Sequence, residues 1–160
     1  GDGRPDIAVS ALLGDMDGRY PGGVFLFVGD TLPPSGDVAA APVRFAAAGP
    51  DDQFGRRLSG QGDVDGDGRA DVLIGAMTAG DAQQGMAVLW LGADIGSSGT
   101  HEATDAYAIV NGDAPGSTLG AGLSIGGDYN GDGRADLAIG AHNTSSEVGR
   151  PGALGVFFSR

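Results

Sequence analysis

Asp63-Val64-Asp65-Gly66-Asp67-Gly68-Arg69-Ala70-Asp71 is the stretch that decides the fold. It returns as Asp128-Tyr129-Asn130-Gly131-Asp132-Gly133-Arg134-Ala135-Asp136, and a shortened copy opens the chain as Gly1-Asp2-Gly3-Arg4-Pro5-Asp6. Asp2, Asp67 and Asp132 stand 65 positions apart. A nine-residue oxygen-rich loop at one fixed period carries both a chemistry and an architecture.

The chemistry follows from the donors. Asp63, Asp65, Asp67 and Asp71 in one loop, and Asp128, Asn130, Asp132 and Asp136 in the other, place side-chain oxygens at four of nine positions. Calcium takes about six to eight oxygens in a flexible shell, and short Asp side chains on a tight loop can supply them. Gly66, Gly68, Gly131 and Gly133 let the backbone turn around an ion. At the seventh position the backbone carbonyls of Arg69 and Arg134 are the natural further ligands. Like charges crowded into one loop raise pKa values or open the loop unless a cation joins them. Asn130 lowers the charge of the second loop by one, so weaker binding is expected there. The shortened copy keeps Asp2, Arg4 and Asp6 and lacks the first two donors. Two full Ca2+ sites and a crippled third are therefore expected. Magnesium suits the donor set less well, because it keeps more water.

The loop opens like an EF-hand but cannot be one. An EF-hand needs a bidentate Glu at position twelve, and here that position holds Ile74 or Ile139. The residues that follow, Asp71–Ala76 and Asp136–Ala141, are short, β-branched and end in Gly-Ala, so they read as strands. A metal-free Asp-Gly turn would explain one copy, but a plain turn does not require three registered ones.

Composition agrees. Gly is 32 of 160 residues and 41% of the chain is hydrophobic, too apolar for disorder and too glycine-rich for a helical bundle. Net charge is −12, and all the acidic residues except Glu102 and Glu147 are Asp, which favours loops and metal sites over helix surfaces. No basic stripe exists to meet phosphate, so no nucleic-acid partner is expected. There is no Cys, so disulfides are excluded. No apolar run is long enough for a membrane span.

The repeat organises the rest. The chain divides into residues 1–53, 54–118 and 119–160. In the middle unit, strands are expected near Arg57–Gly62, Asp71–Met77, Met86–Leu91 and Ala106–Val110. The first unit offers Asp6–Ser10, Gly23–Val28 and Val43–Ala46. The last offers Asp136–Ala141 and Leu154–Phe158. The second and third strands are apolar on both faces, so each needs a packed layer on either side. About 65 residues with four strands match one blade of a β-propeller.

Phe54-Gly55, the loop 63–71 and Ile74-Gly75-Ala76 together resemble the FG-GAP repeat of integrin α-chain β-propellers and their bacterial relatives. The resemblance covers about two and a half repeats. It departs at Met77 and His142, which replace a Pro, at Ser10-Ala11, which replaces Gly-Ala, and at Leu119, which replaces Phe. It implies an all-β, seven-bladed propeller with calcium in the hairpins between the first and second strands. Seven blades need about 455 residues, so the chain is expected to be a piece of a longer protein, or to complete itself by self-association. The resemblance further implies an extracellular or cell-surface binding scaffold, not an enzyme, with a protein or glycan partner. A lectin-like propeller and a non-catalytic propeller attached to a secreted enzyme are the alternatives.

Other features say less. His101 and His142 read as solvated loop histidines. A Ser-His-Asp set is conceivable on paper, but no nucleophile elbow is read. Trp90 reads as blade packing, and Tyr129 is expected to pack over the oxygen loop. The loops at 15–22, 49–53, 79–84, 111–118 and 142–152 should share the face opposite the oxygen loops, where partners would approach. Asn143-Thr144-Ser145 is a glycosylation sequon.

Overall fold

A computed structural model describes residues 4–16, 20–29, 37–46, 49, 52–143 and 152–159. The described residues contain no α-helix and eleven strands. In chain order these are β1 (Ile7–Met16), β2 (Tyr20–Phe27), β3 (Val43–Ala46), β4 (Phe54–Ser59), β5 (Val72–Ala76), β6 (Met86–Trp90), β7 (Gly99–Glu102), β8 (Ala108–Asn111), β9 (Leu119–Gly127), β10 (Asp136–Ala141) and β11 (Ala153–Phe157). They form three open sheets, ordered β1-β2-β3-β7, β4-β5-β6-β8 and β11-β10-β9. The fold is thus all-β, built as propeller blades that do not close a ring.

The layers follow from the double-sided apolar strands. Every residue of β6 is buried. Met86, Val88 and Trp90 face the first sheet with Ile74 and Ala76, and meet Val24, Leu26, Val43 and Phe45. Ala87 and Leu89 face the third sheet with Leu73, and meet Ile125, Leu137 and Ile139. Alternating residues of one strand therefore feed two cores. Full burial of each large apolar side chain contributes about 1.5–3 kcal/mol. Trp90 is 2% exposed and packs at 4.9 Å from Phe45 and 6.1 Å from Phe54, ring centre to ring centre.

The phenylalanine-glycine and Gly-Ala dipeptides gain a physical reason. Gly55 and Gly120 have φ of 87° and 89°, and a Cβ on either would press into the neighbouring sheet: Val24 at 2.7 Å for Gly55, the Met86 carbonyl for Gly120. A Cβ on Gly75 would strike the Gly120 carbonyl. These glycines let adjacent blades touch through their backbones.

Three expectations need correction. The first strand of the middle unit starts at Phe54 and ends at Ser59, earlier than 57–62, because Phe54 pairs with Ala76 across a bulge before Arg57. A strand was missed: β7 lies in the connection between β6 and β8, yet pairs in parallel with β3, Phe45 opposite His101. Gly99-Thr100-His101-Glu102 has no apolar alternation to announce it. His101 is consequently no solvated loop residue; it is half-buried, with its ring stacked on Phe45 at 5.4 Å.

Candidate metal centre

Both complete oxygen loops lie in the connection between the first and second strands of their units, β4–β5 and β9–β10. Each folds on its own backbone in the same register. Asp63 accepts N–H bonds from Gly66 (2.7 Å), Asp67 (3.1 Å) and Gly68 (2.7 Å). Asp128 accepts the equivalent bonds from Gly131 (2.7 Å), Asp132 (3.0 Å) and Gly133 (2.9 Å). Gly66 and Gly68 have φ of 80° and 84°, and Gly131 and Gly133 have 79° and 86°. Left-handed backbone at these two points turns the N–H groups inward, and a side chain at either would strain it.

In the first loop, oxygens of Asp63, Asp65 and Asp71 converge within 4.8 Å of one another. Asp67 turns to its own backbone: Oδ1 accepts from Arg69 N–H at 2.7 Å, and Oδ2 lies 3.9 Å from the Arg69 guanidinium. In the second loop the Asn130 amide donates to Asp132 Oδ2 at 2.9 Å, a bond that Asp65 cannot make to Asp67. Tyr129 does not cover its loop. It is 65% exposed, and its ring lies against Gly127.

The last carboxylate of each loop is the best anchored. Asp71 and Asp136 are 0% and 1% exposed. Asp71 accepts from Val64 N–H at 2.6 Å and from Gly92 N–H at 2.7 Å, and Asp136 accepts from Tyr129 N–H at 2.7 Å and Ser159 N–H at 3.0 Å. In the first unit Asp6 accepts from Gly29 N–H at 2.9 Å. Each residue thus ties its loop to the chain just beyond the third strand. Sequence reasoning missed Gly29, Gly92 and Ser159, since a backbone N–H carries no residue signature. Asp2, the remaining donor of the shortened copy, lies outside the described residues; Arg4 and Asp6 lie within them.

Electrostatics fit a cation. Burial pushes Asp71 above its usual carboxylate range against the N–H bonds of Gly92 and Val64, and the charges of Asp65 and Asp63 add to the rise. For Asp63, burial acts upward, but the N–H bonds of Gly68, Gly66 and Asp67 and the contact with Asp65 outweigh it and hold it low. The Arg134 N–H, followed by the Asn130 amide, holds Asp132 low. Carboxylates that converge on one point, one of them buried, are what a divalent ion relieves. Hard oxygen donors on a flexible turn suit calcium.

At the opposite ends of the strands, the 79–84 and 111–118 loops bond to each other through Gly116 N–H to the Ala82 carbonyl at 2.8 Å, and Asn143 N–H joins them at Ser117 O, 3.2 Å. His142 is exposed there, with Nδ1 3.0 Å from Thr118 Oγ1. One serine motif escaped the sequence reading. Gly122-Leu123-Ser124-Ile125-Gly126 spells G-x-S-x-G, but it runs inside β9, Ser124 is paired with Ala138, and no helix follows. It lacks the strand-to-helix turn of a nucleophile elbow. Thr144 and Ser145 of the sequon lie outside the described residues.

Comparison with known proteins agrees with the repeat. The FG-GAP repeat family model matches residues 54–90 and 119–157. Integrin alpha-PS5 of Drosophila melanogaster is 32% identical over 163 aligned positions, taking in 100% of this chain and 15% of that protein. Integrin alpha-PS3 of the same organism is 31% identical over 91% of this chain and 13% of its own length. No helix among the described residues is long and apolar enough to cross a membrane. The chain carries FG-GAP repeats in two regions, 54–90 and 119–157, and is similar along its length to a stretch of integrin α chains.

Proposed function

We propose that this chain is a calcium-stabilised propeller segment of an extracellular or cell-surface binding scaffold. The observation that carries the calcium reading is the convergence of Asp63, Asp65 and Asp71 on one point of a loop whose backbone network recurs, bond for bond, 65 residues later. In this reading Asp63, Asp65, Asp67, Asp71 and the Arg69 carbonyl surround one ion. Asp128, Asn130, Asp132, Asp136 and the Arg134 carbonyl surround a second, and Asp2, Arg4 and Asp6 belong to an incomplete third. The ion offsets the negative charge of the loop and locks it, holding the blades at a fixed angle. Units 1–53, 54–118 and 119–160 act as successive blades.

The scaffold reading rests on the likeness to integrin α chains and on the cluster formed by the 79–84, 111–118 and 142–143 segments. Loops on a rigid scaffold are the usual place for partners. The described parts of these loops carry no Trp, Tyr or Phe, which favours a protein partner over a glycan that would stack on aromatic rings. Titration calorimetry of the chelator-stripped chain with calcium tests the metal. Capture of extracellular-matrix proteins with calcium or EDTA present tests the scaffold, and a glycan array with hits would shift the reading to a lectin.

A further inference from the structure

The two oxygen loops touch. Ala135 N–H donates to the Asp63 carbonyl at 2.8 Å. The other side of the same peptide unit, Val64 N–H, donates to Asp71 Oδ2 at 2.6 Å. Two hydrogen bonds therefore run through one planar peptide from the second loop into a carboxylate of the first, and each polarises the peptide for the other. Ala135 stands between Arg134 and Asp136, so its N–H points where the closure of the second loop puts it. The contact is tight around this link. A Cβ on Gly62 would lie 2.6 Å from the Ala135 Cβ, and a Cβ on Gly66 would lie 3.2 Å from Arg134 Nε.

Building on the calcium reading, we propose that the path Ala135–Asp63–Val64–Asp71 couples the two cation sites, so that an ion in either loop raises the affinity of the other. An ion in the 128–136 loop fixes the Ala135 N–H. That fixes the Asp63–Val64 peptide, which the first loop must otherwise order when it closes. The second ion then has less chain to order, and the coupling is reciprocal. The charge of a bound ion works the other way, by lowering the negative field at its neighbour. That effect is screened over about 8 Å at physiological salt, and one Ca2+ brings the first loop from −3 to −1 and the second from −2 to 0, so neither loop becomes positive. Ordering therefore sets the sign.

The chain contains its own control. Pro5 occupies the position equivalent to Ala135 in the first unit and has no N–H to donate. The Asp6–Gly29 bond beside it is intact at 2.9 Å. Proline is thus compatible with this repeat position, and Ala135→Pro removes the link without removing a ligand side chain.

Tyr129 gives a local probe, because its ring can sensitise terbium bound in the second loop; Tyr129→Val confirms the origin of the signal. Asp65→Ala empties the first loop and leaves the Asp63 carbonyl in place. At 0.15 M salt, the terbium dissociation constant of the second loop is expected to rise about three- to tenfold in Asp65→Ala, the effect of losing one ordered hydrogen bond. In the Ala135→Pro background, Asp65→Ala should have no further effect, whereas Ala135→Gly, which keeps the N–H, should preserve the full response. Asp65→Asn replaces Asp65→Ala should the latter lose its β-sheet circular dichroism. Equal second-loop affinity with and without a functional first loop overturns the coupling. Absence of any calcium heat in the parent chain overturns the calcium reading instead.

Discussion

Gly92 donates its backbone N–H to Asp71 Oδ1 at 2.7 Å, joining the end of the oxygen loop to the residues that leave β6. Asp71 is fully buried, and its other oxygen is held by Val64 N–H. Removing the carboxylate strands two N–H donors. Asp71→Ala should therefore destabilise the metal-free chain by about 2–6 kcal/mol, at about 1–3 kcal/mol for each of the two unsatisfied buried groups. Asp65→Ala, which loses one bond of 3.2 Å at the surface of the loop, should cost under about 1 kcal/mol. Urea midpoints in EDTA measure both, and equal losses would contradict the anchoring role of Asp71.

Calcium should raise the melting temperature and EDTA should lower it. Binding to the native state alone stabilises by about 2.7 kcal/mol at one hundred times the dissociation constant. Asp63→Ala removes both a ligand and the acceptor of three loop N–H bonds. Calorimetry on that variant should show only the second site, and two sites of parental affinity would rule out the assignment.

Gly55→Ala and Gly120→Ala should each cost about 3 kcal/mol or more, since each adds left-handed strain to a collision with the adjacent sheet. Gly131→Ala has the same kind of φ with open space around its Cβ and should cost only about 1–2 kcal/mol. Thermal melts of the three variants separate blade contact from backbone strain.

Trp90 bridges Phe45 of the first sheet and Phe54 of the second, and its Nε1 has no hydrogen-bond partner. Trp90→Ala should cost about 3–5 kcal/mol through the cavity it leaves. Trp90→Phe loses volume but also removes a buried orphan donor, so about 1–2 kcal/mol is expected. Denaturant curves followed by circular dichroism decide; equal costs would mean that packing volume is not what Trp90 contributes.

The pH dependence has opposite signs at two carboxylates. Burial, opposed by the N–H bonds of Gly92 and Val64 and reinforced by Asp65 and Asp63, raises Asp71. Its contribution to metal-free stability is present below the unfolded value and is lost as pH rises through the folded one. Asp63 is held low, so its contribution is present above the unfolded value and is lost as pH falls through the folded one. Calcium needs all of these groups ionised. The calcium-induced increment in melting temperature should therefore grow from about pH 4 to about pH 7. Parallel melts with calcium and with EDTA across that range check it, and a constant increment would argue that these carboxylates do not bind the ion.

Much of the architecture was legible because its causes are local. The Asp-Gly loops announce themselves within nine residues, and the double-sided apolar run Met86–Trp90 demands two cores. The missing Glu at Ile74 excludes a helix-loop-helix site. Where the reading slipped, the cause was distant. β7 pairs with β3, more than fifty residues earlier, through backbone groups that any sequence possesses. Tyr129 could be placed in the loop but not oriented, because its ring comes to lie against Gly127, the last residue of β9.

The sequence by itself determined the donor set, the 65-residue period, the strands beside each loop and the need for layers on both sides of them. These depend on side-chain chemistry and alternation, which neighbouring residues express directly. Only the tertiary structure decided what holds the loops in place. The Asp71–Gly92, Asp136–Ser159 and Asp63–Ala135 bonds all engage backbone N–H groups. A backbone N–H is present at every residue but proline, so its partner is fixed by where the packed blades bring the chain.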